Sequence, residues 1–235
     1  MNDTIPLHKI LFLDIETVPA LPDFNALDET FQQLWIKKAA IISRDSNNTP
    51  EELYSRAGIY AEFGKIICIS AGMINDRTLR IKSFASKNEK EILVSFSSML
   101  TAHFNEENHY LCAHNGKEFD FPYICRRLLI NGLPLPSVLQ ISGKKPWEIR
   151  HLDTMEMWKF GDYKNYTSLE LLAAAFGIAT PKDDIQGSEV YSVYWKDDDL
   201  DRIVIYCQKD VVTIAQLYLR YMGKAMILDK DIIVV

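Results

Sequence analysis

Two acidic residues lie in a stretch whose pattern is that of a buried β-strand. The segment "KILFLDIETV" is short, apolar and rich in β-branched residues, yet it contains Asp14 and Glu16. Side chains two residues apart point to the same face of a strand, so these two carboxylates stand side by side. Burial of like charges is unfavourable unless something compensates them. The sequence therefore predicts either a neutralising partner or a bound cation here.

Two further carboxylates stand at unusual positions in predicted helices. Asp210 falls within the apolar stripe of the last helix, and Tyr206 lies one turn before it on the same side. Asp120 begins a helix that follows a strand. Each residue also has a purely structural interpretation: Asp120 caps its helix, Asp210 reaches solvent, and Asp14 and Glu16 pair with lysines at a strand end.

A divalent metal site explains the four carboxylates together. Hard cations take oxygen ligands, and two ions about 4 Å apart need several carboxylates, one of them shared. The predicted elements of an α/β sheet bring the four residues together. We therefore predict that Mg²⁺ or Mn²⁺ is bound by Asp14, Glu16, Asp120 and Asp210.

The elements that must position these residues alternate between strand and helix. Predicted strands cover residues 9–15, 64–74, 77–85, 110–116 and the segment "EIRHLDTM". Helical patterns follow the third, fourth and fifth strands, and the last helix runs from about Asp198 to Met222. This order predicts an α/β fold with a mixed five-stranded sheet and helices on both faces. We expect one domain over residues 1–235, with residues 20–62 as an insertion or arm.

Composition narrows the class of protein. The chain has 235 residues and a net charge of −6, which argues against coating duplex DNA by charge alone. No apolar run approaches the roughly 20 residues of a membrane helix, and the N-terminus lacks the pattern of a signal peptide. The four cysteines are far apart, which predicts reduced, buried thiols in a cytoplasmic protein without a membrane partner.

Three ordered motifs resemble those of a known enzyme family. "LDIET", "NGKEFD" and "YCQKD" are similar to the three exonuclease motifs of the DEDD superfamily. A tyrosine four residues before the last aspartate is typical of its DEDDy branch. The likeness is closest to the proofreading exonuclease domain of family-B DNA polymerases and its predicted free-standing bacterial relatives. It covers nearly the whole chain apart from residues 20–62.

The resemblance implies a ribonuclease-H-like fold and a metal-dependent 3′–5′ exonuclease that releases nucleoside 5′-monophosphates from single-stranded DNA. By this likeness Asp14 bridges two divalent cations, Glu16 and Asp210 complete the first site, and Asp120 binds the second ion. Tyr206 orients the attacking water, because an unperturbed tyrosine, with a pKa of about 10, is a poor base near neutrality.

The resemblance also implies contacts with the substrate strand. Thr17 follows the first motif, and Asn115 and Phe119 match conserved positions of the second. Ser168 and Leu169, in "SLELL", resemble a short substrate-contact motif, for which a capped amphipathic helix is the alternative.

Other functions stay open at this stage. RNA or a short oligonucleotide is an alternative substrate, because no residue in the sequence shows whether the site accepts or excludes a 2′-hydroxyl group. A non-catalytic nucleic-acid-binding module of the same fold is the alternative outside enzymology. The sequence does not identify a polymerase or repair protein as partner.

Overall fold

A six-stranded mixed sheet organises the chain. The computed structural model describes residues 5–43, 48–162, 166–178 and 185–235. The strands are β1 (Ile10–Pro19), β2 (Gly64–Asn75), β3 (Thr78–Ala85), β4 (Tyr110–Ala113), β5 (Leu152–Asp153) and β6 (Ile232–Val234). The helices are α1 (Glu29–Ile42), α2 (Pro50–Leu53), α3 (Glu89–His103), α4 (Asp120–Ile130), α5 (Thr154–Lys159), α6 (Leu169–Ala175), α7 (Val190–Trp195) and α8 (Leu200–Tyr221).

The strand order places β1 inside the sheet. The order is β5-β4-β1-β2-β3-β6. Strand β2 is antiparallel to both β1 and β3, and β4 is parallel to β1. The β2–β3 hairpin turns at Asp76, whose φ of 54° is the left-handed conformation that such a turn requires. The predicted α/β class and mixed sheet are confirmed.

The prediction of five strands was wrong by one. Residues Ile232–Val234 form a sixth strand, parallel to β3 at Leu79–Ile81. Three apolar residues after a long helix are too few to show the alternation that marks a strand. The predicted fifth strand "EIRHLDTM" is also shorter than expected, because only Leu152 and Asp153 pair with β4.

Helices cover both faces of the sheet, and the side chains of β1 alternate between these two faces. Leu11, Leu13 and Ile15 pack in the apolar cluster formed with α3 and α4. Ile10 and Phe12 point the other way, into the cluster formed with α8. Because side chains alternate along a strand, Asp14 and Glu16 lie on the face covered by α8.

The segment 20–62 has its own small apolar cluster. Trp35 on α1 is fully buried there against Tyr54, with ring centroids 5.6 Å apart, and its indole N–H donates to the Pro50 carbonyl at 2.7 Å. Helix α1 begins after Asp28, whose side chain accepts from the backbone N–H of Phe31. The assignment of this segment as an arm of a single domain stays a prediction.

All four cysteines are buried and unpaired in disulfides. Among the described residues, no helix is both long enough and apolar enough to pass through a lipid bilayer.

Candidate active site

The two carboxylates of β1 lie next to a thiol of α8. One ligand atom from each of Asp14, Glu16 and Cys207 lies within 4.8 Å of the others. The Cys207 thiol donates to a carboxylate oxygen and to the main-chain carbonyl of Asp14, both at 3.4 Å. Burial raises the pKa of this thiol, so it is protonated at neutral pH and able to donate. Strand β1 runs on to Pro19, so Glu16 lies inside it rather than beyond its predicted end.

Asp120 lies beside β1 rather than in a helix cap. Phe119 is the N-cap residue of α4 and its side chain makes no capping hydrogen bond. Strand β4 pairs with β1 only as far as Phe12. Beyond that point the backbone N–H of Ile15 donates to the Asp120 carboxylate. Asp120 is thus the first residue of α4 rather than its N-cap, its carboxylate also accepts from its own backbone N–H, and the residue is 4 % exposed.

Burial and mutual repulsion raise the pKa values of the carboxylates. Burial first, then the charge of Asp210, raises the pKa of both Asp14 and Glu16 well above the usual range. Asp120 adds to both effects. Burial raises the pKa of Asp120 itself to about 8, and Asp210 contributes there too. All four carboxylates are thus close enough to share one electrostatic environment.

Three of these acids have no ion-pairing cation in the described part of the chain. Within it, no lysine or arginine forms an ion pair with Asp14, Glu16 or Asp120. The described residues therefore give no support to the alternative in which lysines compensate the pair on β1. Asp210 lies close enough to the cluster for its charge to raise the pKa of Asp14.

Tyr206 lies one turn before Asp210 on α8 and is hydrogen-bonded to it. Burial, and then the charges of Asp210, Glu16 and Asp14, raise the pKa of the phenol. The hydroxyl is therefore protonated at neutral pH and acts as a donor, not as a base.

The second motif forms a turn between β4 and α4. Asn115 has a φ of 63°, and its side-chain oxygen is buried without a hydrogen-bond partner among the described residues. Such an atom is costly to bury alone, and the contact of Asn115 with substrate stays a prediction. Phe119 is half-buried and packs on Tyr123 with ring centroids 5.4 Å apart.

The predicted strand contact Thr17 lies on the other face of β1. A bulge between Glu16 and Thr17 shifts the register with β2. The Thr17 side chain is hydrogen-bonded to the Tyr123 hydroxyl, which donates to the Gly58 carbonyl at 2.7 Å. The structure thus gives Thr17 a protein partner, and its contact with substrate stays a prediction.

Comparison with known families agrees with this geometry. Residues 59–233 match the sequence model of a family described as a predicted 3′-5′ exonuclease related to the exonuclease domain of PolB. The chain belongs to this family. The match extends over more than half of the chain and includes Asp120, Tyr206 and Asp210, whereas Asp14 and Glu16 precede it. A search of curated proteins found no match.

A solved polymerase shares the fold of this PolB-related exonuclease family member. The family B DNA polymerase from the hyperthermophilic archaeon Pyrobaculum calidifontis superposes with a TM-score of 0.52 at 16% sequence identity. The match covers 89% of this chain and 24% of the polymerase. At this identity the likeness shows the fold, which is the ribonuclease-H-like fold that the motifs implied.

Asp153 is a residue of the site that sequence reasoning missed. Its carboxylate accepts from the backbone N–H groups of Asn115 at 3.0 Å and Lys117 at 3.1 Å, which holds the second-motif turn. It also caps α5 by accepting hydrogen bonds from the backbone N–H groups of Met155 and Glu156. The signal was present in "HLDT", where an aspartate ends a strand, but the pattern of this segment predicts only a short strand.

His114 ties the same turn to the segment before α6. Its Nε2 lies 2.9 Å from the Thr167 carbonyl oxygen and its Nδ1 lies 2.9 Å from Thr154 Oγ1. Ser168 caps α6 by accepting from the backbone N–H of Leu171, and Leu169 packs against apolar clusters that include α8. The alternative of a capped amphipathic helix therefore describes this segment, and its contact with substrate stays a prediction.

Proposed function

We propose that this protein is a DEDDy-type 3′–5′ exonuclease that depends on divalent cations and removes nucleoside 5′-monophosphates from single-stranded DNA. One observation carries the proposal. Asp14 and Glu16 share a face of a central strand, their pKa values are raised by burial and by Asp210 and Asp120, and no described lysine or arginine pairs with Asp14, Glu16 or Asp120. Oxygen donors grouped in this way on one buried face suit a metal centre.

The donor chemistry fits two hard cations, Mg²⁺ or Mn²⁺. Asp14, Glu16 and Asp210 would hold one ion, and Asp14 with Asp120 would hold the second. Bound there, the cations supply positive charge and Lewis acidity to the attacking and leaving oxygens of the phosphodiester. The Cys207 thiol donates to Asp14 and so helps to fix the orientation of the shared carboxylate.

Tyr206 contributes as a protonated donor. Its hydroxyl is hydrogen-bonded to Asp210, and its raised pKa keeps the proton on the phenol. In this position the hydroxyl orients a water molecule or the scissile phosphate by hydrogen bonding. Proton transfer to Tyr206 as a base is disfavoured, because the anion would be buried among carboxylates.

The second-motif turn would receive the 3′-terminal nucleotide. The unpartnered Oδ1 of Asn115 accepts a hydrogen bond from the sugar or base, and Phe119 offers a ring face to the base. Stacking on an aromatic ring tolerates any base, which suits an exonuclease without sequence preference. Thr17, Ser168 and Leu169 are further contacts that we propose for the substrate strand.

The test is degradation of 5′-labelled single-stranded DNA with Mn²⁺. We expect a ladder that shortens from the 3′ end, loss of activity in EDTA, and loss of activity in Asp14→Asn and Asp210→Asn. Duplex ends should be degraded more slowly, because strands must fray before the 3′ terminus enters the site. Cleavage of closed single-stranded circles, or shortening from the 5′ end, would refute the proposed polarity.

The same assay separates the alternative substrates. A labelled RNA of equal sequence that is degraded faster than the DNA would assign the enzyme to RNA. Activity confined to the shortest members of a length series would assign it to oligonucleotide clearance. Binding without hydrolysis in Mg²⁺ and in Mn²⁺ would identify a non-catalytic module.

A further inference from the structure

In addition to the candidate active site, the structure has a groove along α4. Its volume is about 330 Å³, and its walls come from α4 and from the loop between α4 and β5. Apolar side chains such as Pro122, Leu129 and Ile149 line it together with the basic side chains of Lys117, Arg126 and Lys144. The groove therefore combines apolar surface with positive charge.

Basic residues are concentrated around this groove in an otherwise acidic protein. Residues 121–151 contain five arginines and lysines and one acidic residue, whereas the whole chain carries a net charge of −6. Arg127 is buried in an ion pair with Glu89 and does not contribute to the surface. The side chains that remain at the surface are Arg126, Lys144, Lys145 and Arg150.

These surface cations are available to a ligand. In the described ranges neither Arg126 nor Lys144 forms an ion pair. Trp147 is 72 % exposed, which is unusual for a tryptophan, and the ammonium of Lys145 lies 5.1 Å from its ring centroid. An exposed ring beside unpaired cations is the arrangement that recognises nucleobases and phosphates together.

The groove extends to the second-motif turn, to which Lys117 belongs. Lys117 and Pro122 line it, and these two residues flank Asp120 in the chain. Arg126 follows Asp120 by six residues on α4, which places it about 9 Å farther along the helix axis. A strand whose 3′-terminal nucleotide lies at the second-motif turn could therefore continue along the groove.

We propose that this groove binds the single-stranded nucleic acid upstream of the 3′-terminal nucleotide. Arg126, Lys144 and Lys145 contact phosphates, and Trp147 stacks on a base. The positive charge complements a polyanion, and an acidic protein needs such a local patch to hold one. The inference rests on the proposed exonuclease function, and it adds the site that sets affinity for long substrates.

The test is a variant that removes positive charge in and beside the groove. In Arg126→Gln/Lys144→Gln/Lys145→Gln, three phosphate contacts are lost, so the slope of log kcat/KM against log salt should become shallower by about 2 for a long oligonucleotide. The substrates are oligothymidylates, one longer than the ~4–16 nucleotides that a binding module spans and one about three nucleotides long. We expect KM to rise about tenfold for the long substrate, with kcat and trinucleotide hydrolysis unchanged.

A matched variant controls for overall charge. Lys90→Gln/Lys224→Gln/Lys230→Gln removes the same charge from exposed positions away from the groove and should leave the salt slope unchanged. Trp147→Ala, at an exposed position that folding does not depend on, should raise KM for the long substrate roughly tenfold, because one stacked base is lost.

The outcomes separate this inference from the proposed function. If the wild-type protein hydrolyses neither substrate, the exonuclease proposal fails. If it hydrolyses both, and the triple variant keeps the wild-type KM and salt slope, the groove does not bind the strand. If the triple variant instead changes the sedimentation coefficient with unchanged kinetics, the groove is a contact between copies of the chain and the inference is overturned.

Discussion

The hydroxyl of Tyr206 illustrates how burial decides the chemistry of a single residue. Burial and three nearby carboxylates raise the pKa of this phenol, so its proton is retained. The hydrogen bond to Asp210 then fixes the side chain in the cluster. A tyrosine in this state can orient and donate, and it gains no catalytic power from deprotonation.

Removal of this hydroxyl should reduce the rate without harming the fold. Tyr206→Phe deletes one oxygen and keeps the ring that packs beside the apolar cluster of α7. We expect kcat on single-stranded DNA to fall about 10²-fold, the low end for a positioned proton-handling group. Steady-state kinetics with saturating Mn²⁺ would measure the loss.

Tyr221→Phe is the matched control on the same helix. Its hydroxyl is buried without a hydrogen-bond partner among the described residues, so its loss should leave kcat unchanged. Equal turnover of Tyr206→Phe and the wild-type protein would remove Tyr206 from the mechanism.

Three elements bring the candidate site together, and a fourth holds their junction. Strand β1 carries Asp14 and Glu16, and α4 and α8 carry Asp120 and Asp210. Asp153, at the end of β5, fixes the turn that leads into α4 through two backbone hydrogen bonds. The position of Asp120 therefore depends on the carboxylate of Asp153.

Asp153→Asn tests this positioning role. The amide nitrogen of asparagine would face a backbone N–H donor, so at least one buried hydrogen bond is lost, at a cost of about 1–3 kcal/mol in the free energy of unfolding. We expect a lower urea midpoint and a fall in kcat of at least tenfold, roughly the effect of losing a supporting interaction around a metal site.

Asp28→Asn provides the comparison for Asp153→Asn. Asp28 caps α1 through one exposed hydrogen bond, so its replacement should cost less stability and leave kcat unchanged. Wild-type kcat in Asp153→Asn would show that the turn is held by other contacts.

The same elements show which features of the site can be predicted from the sequence. Asp14, Glu16 and Asp210 were predictable because strand and helix periodicity assigns each a face. Asp120 was ambiguous, because a capping carboxylate and a site carboxylate occupy the same position at a helix start. Only the tertiary structure shows that its carboxylate also accepts from the backbone N–H of Ile15 on β1. The thiol of Cys207 was assigned to the core, and its contact with Asp14 arises from the packing of α8 on β1.

At the scale of the whole molecule, the carboxylate cluster makes stability depend on pH when cations are removed. A carboxyl group whose pKa is higher in the folded state binds protons there that the unfolded chain has lost. The free energy of unfolding therefore falls as pH rises between the two values. For Asp120 this range extends from 3.8 to about 8, and burial and Asp210 shift Asp14 and Glu16 in the same direction.

The central claim is that divalent cations, and not protein groups, compensate the carboxylates of this cluster. Thermal melts of the wild-type protein and Asp14→Asn, in EDTA and in Mn²⁺ at pH 7.5 and pH 5, test it directly. In EDTA at pH 7.5 the variant should melt higher, by roughly 2–8 °C for about 1–2 kcal/mol of relieved strain. That advantage should shrink at pH 5, because protons then neutralise the wild-type cluster. Mn²⁺ should raise the melting temperature of the wild-type protein well above that of the variant. A wild-type protein that melts higher than Asp14→Asn in EDTA at pH 7.5, and gains nothing from Mn²⁺, would contradict the account.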